Sequence, residues 1–359
     1  MKKYIIMLTI LVILPVFSLS VSAEDEAEEY ISEFRELLPD ELSGITDDTG
    51  ELIEHAGAKW ILEEIAAVLT DSGGEIGGFF LMLIGSAALI GLASLCPGNF
   101  ARGAQVCVSS VVSVMIFVRL SALYTSVTES LSELCDFFGA LIPITVGVTA
   151  LGGGTASATV QSGGMYTALS LIGGFGGEIF SSVSALGLAM SLASSMGSEG
   201  ALSVSRGVKS LFGWILGIFT AILTGTLSLQ TMIASAADGA AMRAAKYMAS
   251  GLIPVVGSTV SSALSTLAGG LSYAKGVIGG GAIVVLLSIA LSPLVMLLAY
   301  RLALSLGIIL TDFTGGSGAS GIFSAYRFSL DTLIALYTLS AVIFIFQTVL
   351  FIKIGVALL

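Results

Sequence analysis

Charged residues are scarce in this sequence. Only 11% of the 359 residues are charged, whereas 55% are apolar, and the mean hydropathy is +1.00. A soluble domain carries about 25% charged residues. The composition therefore excludes a soluble globular protein, and most of the chain is expected to face lipid or other apolar helices.

Residues that carry catalysis or bind metals are also few. The one histidine, His55, has no second histidine or cysteine near it, and Cys96, Cys107 and Cys135 lack CxxC spacing. A nucleophile, a base and an orienting group cannot be assembled in the apolar body without a usable histidine or a carboxylate pair. We therefore expect no enzymatic activity, no cofactor and no metal site, and cysteines that pack as small hydrophobic residues.

Motifs for phosphate and nucleic acid are missing as well. The segment "GGEIGG" at 73–78 lacks the lysine and the preceding strand of a phosphate-binding loop. A basic, aromatic-rich face of the kind that binds nucleic acid is also absent from the sequence. We expect no nucleic-acid partner.

The N-terminus divides into two regions before the apolar body. Residues 1–23 have a basic start, an apolar run and a small-residue end, which predicts a signal peptide; an uncleaved anchor helix is the alternative. Residues 24–75 hold 17 acids and two bases, a net charge of −15, and form the acidic extracytoplasmic region. Apolar residues at helical spacing predict two short amphipathic helices there, on a partner or on the membrane face, with a solvated, partly disordered leader as the alternative: Tyr30, Phe34, Leu37, Leu38, then Ile61, Ile65, Val68.

Residues 76–359 form the predicted membrane domain. Apolar runs lie at about 76–96, 104–125, 137–151, 164–197, 210–233, 252–273, 277–300 and 328–352. Since about 20 residues cross the hydrocarbon, six to eight crossings are possible. The predicted fold class is an all-α polytopic membrane protein with broken or re-entrant segments. The basic residues between the runs do not decide the orientation of this domain in the membrane. Depending on the number of crossings, one set of four or the other lies on the cytoplasmic side: Arg206, Lys209, Lys275 and Lys353, or Arg243, Lys246, Arg301 and Arg327.

Small residues recur at every fourth position in two stretches. The first includes Gly177, Ser181 and Ala185, and the second consists of Gly213, Gly217, Ala221 and Gly225. Such stripes let helix backbones approach closely in lipid. They predict a packing face, although the composition also allows a chance pattern, and the neighbour can belong to this chain or to another.

A proline and three glycines interrupt the segment 141–164. Pro143 removes a backbone donor, Gly152, Gly153 and Gly154 weaken a helix, and Gln161 follows. We expect a broken or re-entrant helix, because freed backbone groups at membrane depth must be satisfied within protein or a wet cavity.

The tripeptide Leu-Ile-Pro that ends at Pro143 returns as Leu-Ile-Pro ending at Pro254, with Gly257 soon after. Interrupted segments in matching halves are typical of transporter repeats. An internal repeat is one interpretation of this echo, and chance is the other.

The segment 236–257 carries charge between two apolar runs. Asp238 is predicted to cap a helix at its N-terminus, and Arg243 and Lys246 then share one helical face. This predicts an interfacial helix whose cationic face contacts phosphate head groups or an acidic partner. Capping and snorkelling without a partner is the alternative.

The same segment resembles a known family. Ala237-Asp238-Gly239, Arg243, Lys246 and "IPVVG" at 253–257, with "TASATVQ" at 155–161, are similar to the stage III sporulation protein AE family of endospore-forming bacteria. The likeness covers roughly residues 76–355. Leu252 and Ser162 depart from the family pattern, in which an aromatic residue and a proline are common, and this leaves the role of Gln161 open.

The resemblance implies membership of a membrane complex that joins the mother cell and the engulfed forespore. Expected partners are other proteins of the same sporulation operon, including a cytoplasmic ATPase and ring-forming proteins, together with membrane lipid. The protein would lie in the mother-cell membrane around the forespore, with its N-terminal region extracytoplasmic. A structural or channel-forming subunit is the first functional hypothesis, and a stand-alone permease for a small solute is the second.

Overall fold

The computed structural model describes residues 28–38, 58–95, 99–152, 154–195, 257–313 and 320–356, with eight single positions between 210 and 225. Every regular element in these ranges is a helix, so the predicted all-α fold is confirmed. The helices are α1 (28–36), α2 (Ala58–Asp71), α3 (Gly73–Ser94), α4 (Asn99–Leu151), α5 (Thr155–Ser195), α6 (Gly257–Phe313) and α7 (Ser320–Val356).

Four helices in the described part of the chain are long and apolar enough to cross a membrane. They lie within Gly73–Ser94, Gly103–Leu151, Gly269–Phe313 and Ser320–Lys353. Helix α4 has 53 residues, which at about 1.5 Å per residue gives about 80 Å. That is more than twice the hydrocarbon thickness of about 30 Å, so part of α4 must extend beyond a single crossing.

The apolar runs 104–125 and 137–151, which the sequence separates, belong to one continuous helix. Between them, Glu129, Glu133 and Asp136 are exposed, while Leu131 and Leu134 are buried. This stretch is amphipathic at helical spacing, so its apolar face continues the core and the helix does not end.

The long helices pair as two antiparallel hairpins. In the first, a Cβ at Gly139 of α4 would contact Leu169 of α5, and Gly173 of α5 lies beside Cys135 of α4. In the second, Gly307 of α6 faces Phe323 of α7, and Gly279, near the other end of α6, faces Ile352. In each hairpin, residues later in one helix meet residues earlier in the other, which shows that the helices run in opposite directions.

Helices α4 and α7 join the two hairpins and run parallel to each other. Three hydroxyl pairs link them: Ser113 with Tyr326 at 3.2 Å, Tyr124 with Ser329 at 3.0 Å and Ser130 with Tyr337 at 2.7 Å. The rings of Phe138 and Phe344 then stack, with centroids 4.2 Å apart. These hydroxyl groups are buried, so their hydrogen bonds spare them the cost of lying unpaired in an apolar core.

Helix α1 packs onto the membrane body. The ring of Phe34 is fully buried, and Leu38 is nearly so. A side chain at Gly147 of α4 would overlap the ring of Tyr30, so α1 approaches the backbone of α4 closely. The amphipathic helix predicted from this spacing is therefore present, and its apolar face is part of the main core.

Candidate functional site

The chain turns at the glycines that end α4. Helix α4 runs through Pro143 and ends at Leu151, and α5 begins at Thr155. The amide of Gly152 donates to the Val148 carbonyl at 3.3 Å, and that of Gly154 donates to Thr149 at 3.3 Å. Gly153 lies outside the described residues. The break therefore lies at the glycines.

Pro143 does not break the helix. Its own side chain is exposed, while Leu141, Ile142, Ile144 and Thr145 around it are buried. A proline removes one backbone donor, and the packing of its neighbours on both sides holds the helix in spite of that loss.

A buried polar cluster lies across the break. Thr145 and Thr149 of α4 and Ser157 and Gln161 of α5 are each at most 3% exposed. The Thr149 hydroxyl donates to the Thr145 carbonyl at 2.7 Å, and its oxygen lies 3.1 Å from the side-chain oxygen assigned to Gln161. A hydroxyl has one proton, which the shorter bond uses. The end of the Gln161 amide that faces Thr149 is therefore its NH2 group, which donates to the Thr149 oxygen. The hydrogen-bond network decides this orientation.

Among the described residues, the other polar atom of the Gln161 amide meets only sulfur. It lies 3.8 Å from Sδ of Met165, which is a weak acceptor; the Thr145 hydroxyl lies 3.5 Å from the same sulfur but donates its proton to the Ile142 carbonyl at 3.0 Å. In either orientation of the amide, one of its polar atoms lacks an oxygen or nitrogen partner in the part of the chain that the structure describes. A buried amide with unused hydrogen-bonding capacity is rare, and it can bind a solute or the backbone of another chain.

Lys275 lies close to the same break. Leu271, one turn earlier on α6, lies 3.8 Å from the Cβ position of Gly152. Lys275 is only 3% exposed, and its Nζ is 5.8 Å from the centroid of the Phe351 ring. As a base between two apolar runs it is expected in a loop, but α6 continues through both runs. The sequence does carry one indication that Lys275 lies inside a helix: the residues on both sides of it are mostly apolar, and no proline interrupts them.

A charged cluster lies further along the bundle. Arg301 of α6 donates to one carboxylate oxygen of Asp331 on α7, and Nε of Arg327 lies 4.0 Å from the other oxygen. Next to Arg301 on α6, Tyr300 donates to Glu75 of α3 at 3.0 Å. Arg301 and Arg327 also lie inside helices. Like Lys275, they are therefore not loop residues, although the sequence alone placed them among the loop bases that bear on the orientation in the membrane.

Large apolar side chains are exposed mainly on one side of this charged cluster. They lie on α3, on the first half of α4 and on the last turns of α6: Leu81, Ile84, Leu89, Leu92, Leu95; Val111, Val114, Met115, Val118; Leu298, Leu302, Leu306, Ile309, Phe313. We call these residues the apolar belt. Water does not favour so large an apolar surface, so lipid or another membrane protein must cover it.

The described residues include only part of the two predicted small-residue stripes. Ala185 of α5 is exposed, while the neighbouring face carries Gly187, whose Cβ would lie 3.0 Å from Ser329 of α7. The side chains of Gly177 and Ser181 lie outside the described residues. The second stripe is helical and exposed, and no described atom lies within 4 Å of the Cβ positions of its glycines: Gly213, Gly217, Ala221, Gly225.

The charged segment at 236–257 lies almost entirely outside the described residues. This holds for Asp238, Arg243, Lys246 and Pro254, so their roles stay predictions. Gly257 is the first residue of α6.

The chain matches known proteins over most of its length. A family described as stage III sporulation protein AE matches residues 55–356. The stage III sporulation protein AE of Bacillus subtilis (strain 168) is 24% identical over 216 residues, which is 59% of this chain and 54% of that protein. The matched part thus spans about half the length of this relative. No solved structure matches. Because the family match covers well over half of the chain, this all-α membrane protein belongs to the stage III sporulation protein AE family.

Proposed function

We propose that the protein is a membrane subunit of a complex that joins the mother cell and the forespore, with a structural or channel-forming role. It would lie in the mother-cell membrane around the forespore. The observation that carries the proposal is the second stripe, from Gly213 to Gly225, at whose glycines no described part of the chain packs. Its exposed glycines are suited to close contact with a helix of another subunit.

The position of α1 supports a role in assembly for the N-terminal region. Its apolar face is fixed on α4 and α6, whereas Glu28, Glu29, Glu33 and Glu36 on its other side are exposed. On the extracytoplasmic side proposed for this region, these acids face the space between the two membranes. Other proteins of the same operon, among them ring-forming proteins, are the proposed partners there, and the cytoplasmic ATPase is the proposed partner on the opposite side.

Co-purification of a substituted protein with its operon partners tests this proposal. Gly217→Leu adds a side chain where the described chain leaves space, so the fold should tolerate it while a partner helix is pushed away. Gly163→Leu is the matched control, since Gly163 is also exposed, with no described atom within 4 Å of its Cβ position, but lies outside both stripes. We expect the first variant to lose its partners and the second to keep them. Equal recovery of partners with both variants would contradict the proposal.

A stand-alone permease is the second candidate function. It is favoured by one observation, the amide atom of Gln161 beside the helix break whose one contact within the described ranges is the sulfur of Met165. Liposomes that contain only this protein separate the two functions, because a permease must show saturable solute uptake without partners. Saturable uptake that the Gln161→Leu substitution abolishes would favour the permease. No uptake by liposomes that contain correctly folded protein would favour the assembly role.

A further inference from the structure

The charged cluster of α6 and α7 carries a surplus of positive charge. Arg301 and Arg327 contact the two oxygens of a single carboxylate, Asp331. The three side chains are 38%, 43% and 38% exposed, respectively. One carboxylate neutralises one guanidinium, so the cluster holds a net charge of +1 on an accessible surface.

An apolar track begins beside this cluster. Leu302, Leu306, Ile309 and Phe313 are exposed and follow one another along one face of α6. From Leu302 to Phe313 the helix rises about 16 Å at about 1.5 Å per residue. One leaflet is about half of the hydrocarbon thickness of about 30 Å, that is, about 15 Å. The track therefore matches the length of one layer of acyl chains.

We infer that this surface binds an anionic phospholipid, with its phosphate at Arg301 and Arg327 and its acyl chains along the track. A guanidinium donates paired hydrogen bonds to phosphate and remains charged at every physiological pH. In this inference the cluster lies at the edge of the hydrocarbon, where phosphate groups lie and where ionisable side chains are least costly. The single surplus charge matches a lipid of net charge −1, such as phosphatidylglycerol, in preference to a zwitterionic one.

The three charged residues allow variants with opposite expected effects. Arg327→Gln removes the surplus charge and leaves the contact between Arg301 and Asp331 intact. Asp331→Asn doubles the surplus from +1 to +2. Lys59→Gln is the matched control, because it removes one exposed base of α2 that pairs with Glu63 and not with Asp331.

The test measures retention of lipid by the full-length protein in mild detergent, using native mass spectrometry. Phosphatidylglycerol and phosphatidylcholine with the same acyl chains are compared. A basic residue near an anionic surface contributes about 1 kcal/mol, or about a five-fold change in affinity. We expect wild-type protein to prefer phosphatidylglycerol, Arg327→Gln to weaken its binding about five-fold, Asp331→Asn to bind it at least as tightly, and Lys59→Gln to leave it unchanged.

Three results would overturn the inference. Equal retention of the two lipids would show that head-group charge is not recognised. A loss of binding in Asp331→Asn as large as that in Arg327→Gln would show that the cluster only stabilises the fold. Displacement of phosphatidylglycerol by excess inorganic phosphate would assign the site to free phosphate and leave the apolar track without a role.

Discussion

The ring of Phe34 fills the space in front of Gly281. A Cβ at residue 281 would lie 2.8 Å from Cε1 and 2.9 Å from Cζ of that ring, which is closer than real Cβ contacts allow. Phe34 belongs to the acidic N-terminal region and Gly281 to the middle of α6. The two regions are therefore held together by a glycine that leaves room for an aromatic side chain.

We expect Gly281→Leu to release α1 from the body. A buried phenylalanine contributes about 3 kcal/mol or more to packing, so amide exchange of residues 28–38 should accelerate about a hundred-fold. Hydrogen exchange of the detergent-solubilised protein measures this. Gly280→Leu is the control, because no described atom lies within 4 Å of its Cβ position. Equal exchange in both variants would show that α1 does not depend on this contact.

The hydrogen bond between Ser130 and Tyr337 should couple α4 to α7. In a double-mutant cycle of Ser130→Ala and Tyr337→Phe, we expect a coupling free energy of about 0.6 to 1.5 kcal/mol. Reversible unfolding in mixed micelles measures the four stabilities. The cycle of Ser130→Ala with Tyr326→Phe should show coupling close to zero, because Tyr326 pairs with Ser113 and not with Ser130. Similar coupling in both cycles would contradict a direct bond.

Gln161 should be replaceable by leucine at little cost to stability. Thr149 keeps its bond to the Thr145 carbonyl, and leucine removes an amide whose second polar atom meets only sulfur within the described ranges. We expect the free energy of unfolding to change by about 1 kcal/mol or less. Gln161→Glu should lose about 3 kcal/mol or more of stability, because the variant would bury a carboxylate in place of a neutral amide. A large loss in the leucine variant would show that the amide is fully bonded.

The segment 236–257 gives a further prediction from sequence alone. We expect the double change Arg243→Gln and Lys246→Gln to impair assembly and spore formation at a normal protein level, because the cationic helical face loses its charge. Asp238→Ala should cost about 0.5 to 2 kcal/mol as the helix loses its cap. Lys59→Gln serves as the control for charge. Unchanged assembly in the double variant would mean that the cationic face has no important partner.

Local patterns predicted the elements whose physical cause is local. Tyr30 and Phe34 lie one turn apart on an apolar face, and α1 formed with that face buried. The glycines at 152–154 weaken a helix through their backbone freedom, and the chain turns there. Pro143 was expected to contribute to the break, but packing of its buried neighbours compensates for one missing donor.

Residues whose roles depend on distant contacts could not be identified in this way. Lys275 was expected in a loop because charge usually ends an apolar run, and its burial and its contact with Phe351 show that α6 holds it in the core. Arg301 and Arg327 were likewise expected in loops, and Asp331 on α7 gathers them into one cluster.

By itself, the sequence determined that this is a helical membrane protein, because a chain with few charged residues and long apolar runs can form few other structures. It also determined where an aromatic helical face lies and where glycines end a helix. Only the tertiary structure decided which faces meet, since helical periodicity shows that a face is apolar but not what covers it. The contacts of Phe34 with Gly281 and of Ser130 with Tyr337 join residues more than 200 positions apart, and such pairs exist only once the chain has packed.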